Sequence, residues 1–181
     1  MNALHNGLIL WLMAAALAAC GGSDRSAPLA PGSGTSSNLG TQSQTLEASG
    51  QQPKPDRSPD IKGPDTDNNG IRDDIDAWIA AQPITDVQKK AAQQAARVMQ
   101  LEILASTGNK AELDRLGNAS MAAVKCLGDS FMPDYQKGLD LSAQIEAITA
   151  NTKERVKKYI SYNRARSGST GRLPEGDTCE P

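Results

Sequence analysis

Thr85-Asp86-Val87-Gln88-Lys89-Lys90-Ala91-Ala92-Gln93-Gln94-Ala95-Ala96-Arg97-Val98-Met99-Gln100-Leu101-Glu102-Ile103-Leu104-Ala105 is the stretch that decides the fold class. Val87, Ala91, Ala95, Val98, Leu101 and Ala105 recur every three or four residues, the spacing that gathers side chains on one face of an α-helix. Thr85 with Gln88 three places on forms a capping box, in which each side chain satisfies a backbone amide that the helix start leaves bare. The helix stops near Thr107-Gly108.

The same period continues on both sides. Upstream, Ile75, Trp78 and Ile79 predict a shorter helix ending near Pro83. Downstream, Asn109 and Glu112 open a helix carrying Leu113, Leu116, Ala123, Val124 and Leu127, which Phe131-Met132-Pro133 closes. After a break at Pro133 and Gly138, the residues Leu141, Ile145, Ile148, Val156, Tyr159 and Ile160 mark a last long helix. If that helix is interrupted at Asn151, Asn151 with Glu154 caps its second half. No stretch reads as a strand. The expected fold is all-α, a small bundle of four or five helices with a Gly/Ser-rich tail behind it. With aromatic content of only 3% and many inward alanines, its core is lean, so covalent or ionic staples would help it.

One ionic staple lies just ahead of the first helix. In Asp65-Thr66-Asp67-Asn69-Gly70 and on to Asp76, oxygen-bearing side chains alternate and then turn at a glycine. Calcium takes six to eight oxygens at about 2.3–2.6 Å, and a short loop wraps it when alternate side chains point inward. Asp65, Asp67 and Asn69 hold the first, third and fifth places, and Gly70 gives the tight bend at the sixth. The Ile71 carbonyl takes the seventh place, Asp73 the ninth, directly or through water, and Asp76 the twelfth. Asp74 is expected to point elsewhere. The other reading of these residues is an acidic helix start favoured by the macrodipole, with no metal.

This dozen residues resembles the EF-hand loop, and more closely the calcium repeats of dockerin and thrombospondin type 3, in which aspartate can hold the twelfth place. The resemblance implies a Ca2+ ligand set of Asp65, Asp67, Asn69, Ile71, Asp73 and Asp76. Lys62-Gly63-Pro64 stands where an EF-hand has its entering helix, and the chain has no second copy of the loop. The expected site is therefore single.

At the amino end, residues Leu8 to Ala19 form an apolar run too short to span a bilayer, closing in small residues before Cys20. This predicts a secretion signal over 1–19. Leu17-Ala18-Ala19-Cys20 resembles the lipobox of bacterial lipoproteins, which implies cleavage before Cys20 and acylation of its thiol and new amino group. An ordinary cleaved signal with an incidental cysteine is the alternative. By the same resemblance, Gly21 lacks the aspartate that retains lipoproteins in the inner membrane, so the outer membrane is the expected address. Acyl chains contribute about 0.8 kcal/mol per buried methylene, enough for a lasting anchor in the lipid bilayer. Residues 20–62, rich in Gly, Ser, Thr, Gln, Asn and Pro, are expected to be a flexible linker. The calcium loop and helical domain then occupy 63–181.

A covalent staple follows from cysteine arithmetic. With Cys20 lipidated, Cys126 and Cys179 remain, both beyond the inner membrane where disulfides persist, so they are expected to pair and fold the tail over the bundle. Zinc is a poor match for two distant cysteines without histidine.

Catalysis finds little support. His5, the only histidine, leaves with the signal, which removes Ser-His-Asp and Cys-His chemistry from the mature chain. Glu102, Glu112, Glu146 and Glu154 each read as ordinary exposed helix glutamates. On the last helix, Lys153, Arg155, Lys157, Lys158, Arg164 and Arg166 lie among Tyr159 and Tyr162. They read as a solvated basic face or as a face for an anionic lipid or glycan. A net charge of −2 argues against nucleic acid. The expected function is a calcium-binding envelope lipoprotein, non-catalytic, presenting a binding or scaffolding surface to an envelope partner. The alternative is a glycan- or peptidoglycan-acting enzyme with paired carboxylates.

Overall fold

The computed structural model describes Ala48 and residues 54–181. The expected signal, Cys20 and most of the expected linker lie outside the described residues. Among these, α1 spans Asp73–Ala81, α2 Asp86–Leu104, α3 Lys110–Ser130, α4 Tyr135–Thr149 and α5 Lys153–Arg166, with no strand. None of these helices is long and apolar enough to cross a membrane.

The starts of the helices follow their local chemistry. Thr85 Oγ1 accepts from the Gln88 amide at 3.3 Å and Gln88 Oε1 from the Thr85 amide at 3.0 Å, so the capping box of α2 is complete. Asn109 Oδ1 accepts from the Glu112 amide at 3.2 Å at the head of α3. The expected last helix is two helices, and the cap of α5 is Thr152, whose hydroxyl accepts from the Arg155 amide, instead of Asn151. Asn151 is engaged elsewhere: its amide donates to the Asp56 carbonyl at 2.9 Å and its oxygen accepts from Arg155 Nη1 at 2.8 Å.

Helix α2 is the centre of the bundle and packs against all four others. Ala91, Ala92, Ala95 and Ala96 let its neighbours approach closely and share a core with Ile71, Ile75, Ile79, Leu127, Leu141 and Ile145. Because α2 is enclosed on several sides, its buried surface widens beyond the expected stripe to Ala92, Gln94, Ala96 and Ile103. Val87 and Leu101, both counted on the inner face, are exposed. Gly138 marks where α3 and α4 meet backbone to backbone, since a Cβ there would lie 2.6 Å from the Leu127 carbonyl oxygen. A smaller cluster of Ala105, Leu113, Leu116 and Tyr162 seats α5.

The two ends of the described chain are fastened by different devices. Cys126 and Cys179 form a disulfide, as expected. The Gln94 side chain holds the tail beside it, donating to the Thr178 carbonyl at 2.9 Å and accepting from the Glu180 amide at 3.0 Å. At the other end, the expected linker runs to residue 62, yet its last stretch is pinned to the bundle from Asp56 onward. Arg155, fully buried, donates to the carbonyls of Asp56, Asp60 and Ile61 at 2.7, 2.7 and 3.2 Å and to the Asp56 carboxylate at 2.5 Å. A buried guanidinium needs acceptors all round, and an irregular segment with free carbonyls supplies them. This corrects the reading of α5 as well: Arg155 and Tyr162 are its buried side chains, while Val156 and Ile160 are exposed.

Candidate metal loop and a carboxylate cleft

The loop from Asp65 to Asp76 closes on itself through the Asp73 amide, which donates to the Pro64 carbonyl at 2.9 Å. Its turns fall at Asn68, with φ of 57°, and at Gly70, with φ of 83°, the left-handed region where glycine is free of strain. Just before it, Gly63 lies buried against Arg72, and a Cβ at Gly63 would come 2.3 Å from Arg72 Cδ. Arg72 is fully buried; it donates to Asp74 and to the carbonyls of Ile148 and Thr149 at the end of α4. Asp74 therefore does point away from the loop.

The six expected ligands separate into three groups. Asp67, Asn69 and Asp76 meet: Asn69 Nδ2 donates to Asp67 Oδ2 at 3.0 Å and also to Asp76 Oδ2, while Gln93 Nε2 donates to Asp76 Oδ1 at 3.1 Å. Asp73 is turned to Thr66, taking its amide at 2.8 Å and its hydroxyl at 2.7 Å, and these hydrogen bonds hold its carboxyl below the usual aspartate range. Asp65 stands apart, its side chain 7% exposed and its Oδ2 3.9 Å from Lys62 Nζ. Asp65 Oδ1 is buried and accepts no hydrogen bond. Ile71, whose amide donates to Asn69 Oδ1 at 2.8 Å, is fully buried.

Among the described residues, no three Asp, Glu, His or Cys side chains are grouped tightly enough to grip a metal. The donor set nevertheless suits a hard cation, being carboxylate and amide oxygen throughout. Two features mark a place for positive charge. An amide NH2 stands between the Asp67 and Asp76 carboxylates, where a cation would neutralise both more strongly. Asp65 Oδ1 and Gln100 Oε1 are both buried acceptors without donors, and the two residues line the same cleft of about 240 Å³. A buried acceptor left unpaired costs roughly 1–3 kcal/mol, which a bound cation or water would recover.

A second concentration of carboxylates lies on the far side of α2. Glu102, read from sequence as an ordinary exposed glutamate, is 5% exposed and shares a cleft of about 270 Å³ with Glu146 of α4. Burial raises the Glu102 carboxyl above the usual range; Tyr162 and Ser120 pull it down, and the nearby charge of Glu146 adds to the rise. The signal was available in the sequence, because Glu102 stands four residues after Val98 and three before Ala105, in register with the inner stripe. Tyr159, set against Glu146 and Asn163, is raised in pKa, first by partial burial and then by Glu146. The Tyr162 phenol is held above its usual value by burial and by the Glu102 charge. It lies close enough to Glu102 for each to shift the other, yet makes no hydrogen bond of regular geometry.

The expected basic face of α5 is smaller than its sequence suggests. Arg155 is buried on the Asp56 arm, and Arg166 donates to the Leu113 carbonyl at 3.1 Å and to Asp114 at 3.3 Å. Lys153, Lys157, Lys158 and Arg164 remain exposed. Compared with known proteins, the chain matches no family model, and no curated protein or solved structure is significantly similar to it.

Proposed function

We propose that this chain is a calcium-binding lipoprotein of the bacterial cell envelope, anchored through acylated Cys20, whose helical domain serves as a non-catalytic binding or scaffolding module. The observation that carries the metal part of this reading is Asp65 Oδ1, a carboxylate oxygen buried without a donor at the first place of a loop with calcium spacing. Asp65, Asp67, Asn69, the Ile71 carbonyl, Asp73 and Asp76 would hold the ion. When bound, calcium supplies positive charge that offsets the loop's carboxylates, a structural contribution. Within the chain, Gln93 holds Asp76 and Thr66 holds Asp73, which would have to leave Thr66 to serve the ninth place. The anchor part rests on the Leu17-Ala18-Ala19-Cys20 motif alone.

Calorimetric titration of the demetallated full chain tests the ion. Sites of this kind bind at about 10⁻⁴–10⁻³ M, and ten times the dissociation constant adds about 1.4 kcal/mol to folding stability. Chelator is therefore expected to lower the Tm, and Asp65→Ala with Asp67→Ala to abolish that difference. No heat of binding at millimolar calcium refutes the metal reading. Fatty-acid labelling of the expressed chain, lost in Cys20→Ala, tests the anchor.

The second reading, an envelope enzyme acting on glycan with paired carboxylates, is favoured by one observation: Glu102 and Glu146 face a common cleft. Turnover of purified peptidoglycan that disappears in Glu102→Gln would establish it.

A further inference from the structure

We infer that the cleft between α2, α3, α4 and α5 is a binding site for a small organic cation, an ammonium group on a short aliphatic chain. The inference is independent of the calcium loop, which lies on another face of α2 and shares no residue with this cleft.

Three observations point to that chemistry. First, the cleft gathers two carboxylates from different helices, Glu102 and Glu146. The cation beside them, Arg166, gives its Nη1 to the Leu113 carbonyl and to Asp114, and its charge offsets only part of the rise in the Glu102 carboxyl. Two like charges in a partly dry cleft repel, and a ligand cation relieves both. Second, Tyr162 is only 4% exposed and lines the cleft, its buried hydroxyl beside Glu102 without a hydrogen bond of regular geometry. The Glu102 carboxylate can only accept from this phenol, whose oxygen still lacks a donor, and an ammonium supplies that N–H. Third, the remaining wall offers the Tyr159 ring, suited to a cation over its face, and Met99 and Met121, suited to methylenes. The volume, about 270 Å³, falls just below the 300–1,000 Å³ of drug-sized ligand pockets, which fits a short chain.

The groups facing Glu102 are Ser120 on α3, Glu146 on α4, and Tyr159, Tyr162 and Arg166 on α5. Since burial raises the Glu102 carboxyl, cation binding should strengthen as the pH rises through and above the ordinary glutamate range, and weaken below it.

Putrescine is a suitable probe, titrated calorimetrically into the purified full chain, with glutarate as the anionic control. Saturable putrescine binding is expected, with no glutarate binding. Glu102→Gln and Glu146→Gln should each weaken putrescine by about ten- to hundredfold, the worth of one hydrogen bond to a charged group. Glu146 is half-buried, so its glutamine variant is expected to keep the helical circular dichroism of the parent even if the Glu102 variant does not. The inference is overturned if putrescine does not bind, if Glu146→Gln binds it unchanged, or if glutarate binds in its place. Turnover of peptidoglycan lost in Glu102→Gln would likewise overturn it, assigning the carboxylates to acid-base chemistry.

Discussion

Removing the guanidinium of Arg155 should unfasten the start of the domain. Arg155 is fully buried and its guanidinium makes five hydrogen bonds to the protein: to the Asp56 carbonyl and carboxylate, the Asp60 and Ile61 carbonyls, and Asn151 Oδ1. Removing one partner of a buried ion pair costs about 3–5 kcal/mol, and the 18% exposure of the Asp56 side chain places Arg155→Met at about 3 kcal/mol. Asp56 gives an independent figure. Burial raises its carboxyl, but hydrogen bonds from Arg155 and Ser58 outweigh that and lower it from 3.8 to about 2. At about 1.36 kcal/mol per pH unit the shift is worth at most about 2.4 kcal/mol, and solvent screening trims Asp56→Asn to about 1–2 kcal/mol.

Urea unfolding followed by circular dichroism, on Arg155→Met, Asp56→Asn and the double variant, measures both numbers and their coupling. A coupling of about 1–2 kcal/mol is expected. The pH dependence has a definite sign. A carboxyl lowered on folding stabilises fully above its unfolded value, near 3.8, and loses that contribution as the pH falls through about 2. The gap between parent and Asp56→Asn should therefore be widest near neutrality and close between about pH 4 and 2. A coupling under about 0.5 kcal/mol, or a gap that does not narrow in acid, refutes the clasp.

Two further perturbations test how the bundle is held. The disulfide closes a loop between residues 53 apart, worth about 4 kcal/mol in the chain-entropy model, so reduction should lower the urea midpoint substantially; equal midpoints with and without reductant would contradict this. Gly138→Ala would force a methyl to within 2.6 Å of the Leu127 carbonyl oxygen and should destabilise by about 1–3 kcal/mol or more, whereas Gly168→Ala, with nothing within 4 Å, should cost only its backbone strain; equal unfolding midpoints for the two variants would contradict the close crossing of α3 and α4.

Much of the fold is legible because the helices are locally consistent. Thr85/Gln88 and Asn109/Glu112 announce their own starts, and Ile75, Ile79, Leu127, Leu141 and Ile145 carry enough period to be placed inward without knowing their neighbours. What the sequence does not carry is tertiary in origin. Arg155 looks like one more cation on a basic helix, and only the arrival of Asp56, Asp60 and Ile61 makes it a buried hub. Asn151 scores as a cap, yet the same arm recruits it and leaves Thr152 to do the capping. Glu102, a charged residue on an inner stripe, reads as an interruption until a second carboxylate and a buried phenol stand across from it. In the loop, alternation and Gly70 are written in sequence, but the turning of Asp73 to Thr66 is not.

The arm also bounds what a cation could do for this domain. Both ends of the loop are secured by contacts that need no metal: the Pro64 carbonyl takes the Asp73 amide, and Arg72, buried under Gly63, ties the head of α1 to the end of α4. Asp74 joins that anchor to the arm, its carboxylate accepting from both Arg72 and the Asp56 amide at 2.7 Å. The direction in which α1 leaves the loop is thus set by two arginines, Arg72 and Arg155, each fully buried and each paired with an aspartate. An ion held by Asp65, Asp67, Asn69, the Ile71 carbonyl, Asp73 and Asp76 would act on the span between these fixed ends. Its effect would then be a local gain of order, on the scale of the about 1.4 kcal/mol that an ion at ten times its dissociation constant supplies, and not the difference between a folded and an unfolded bundle.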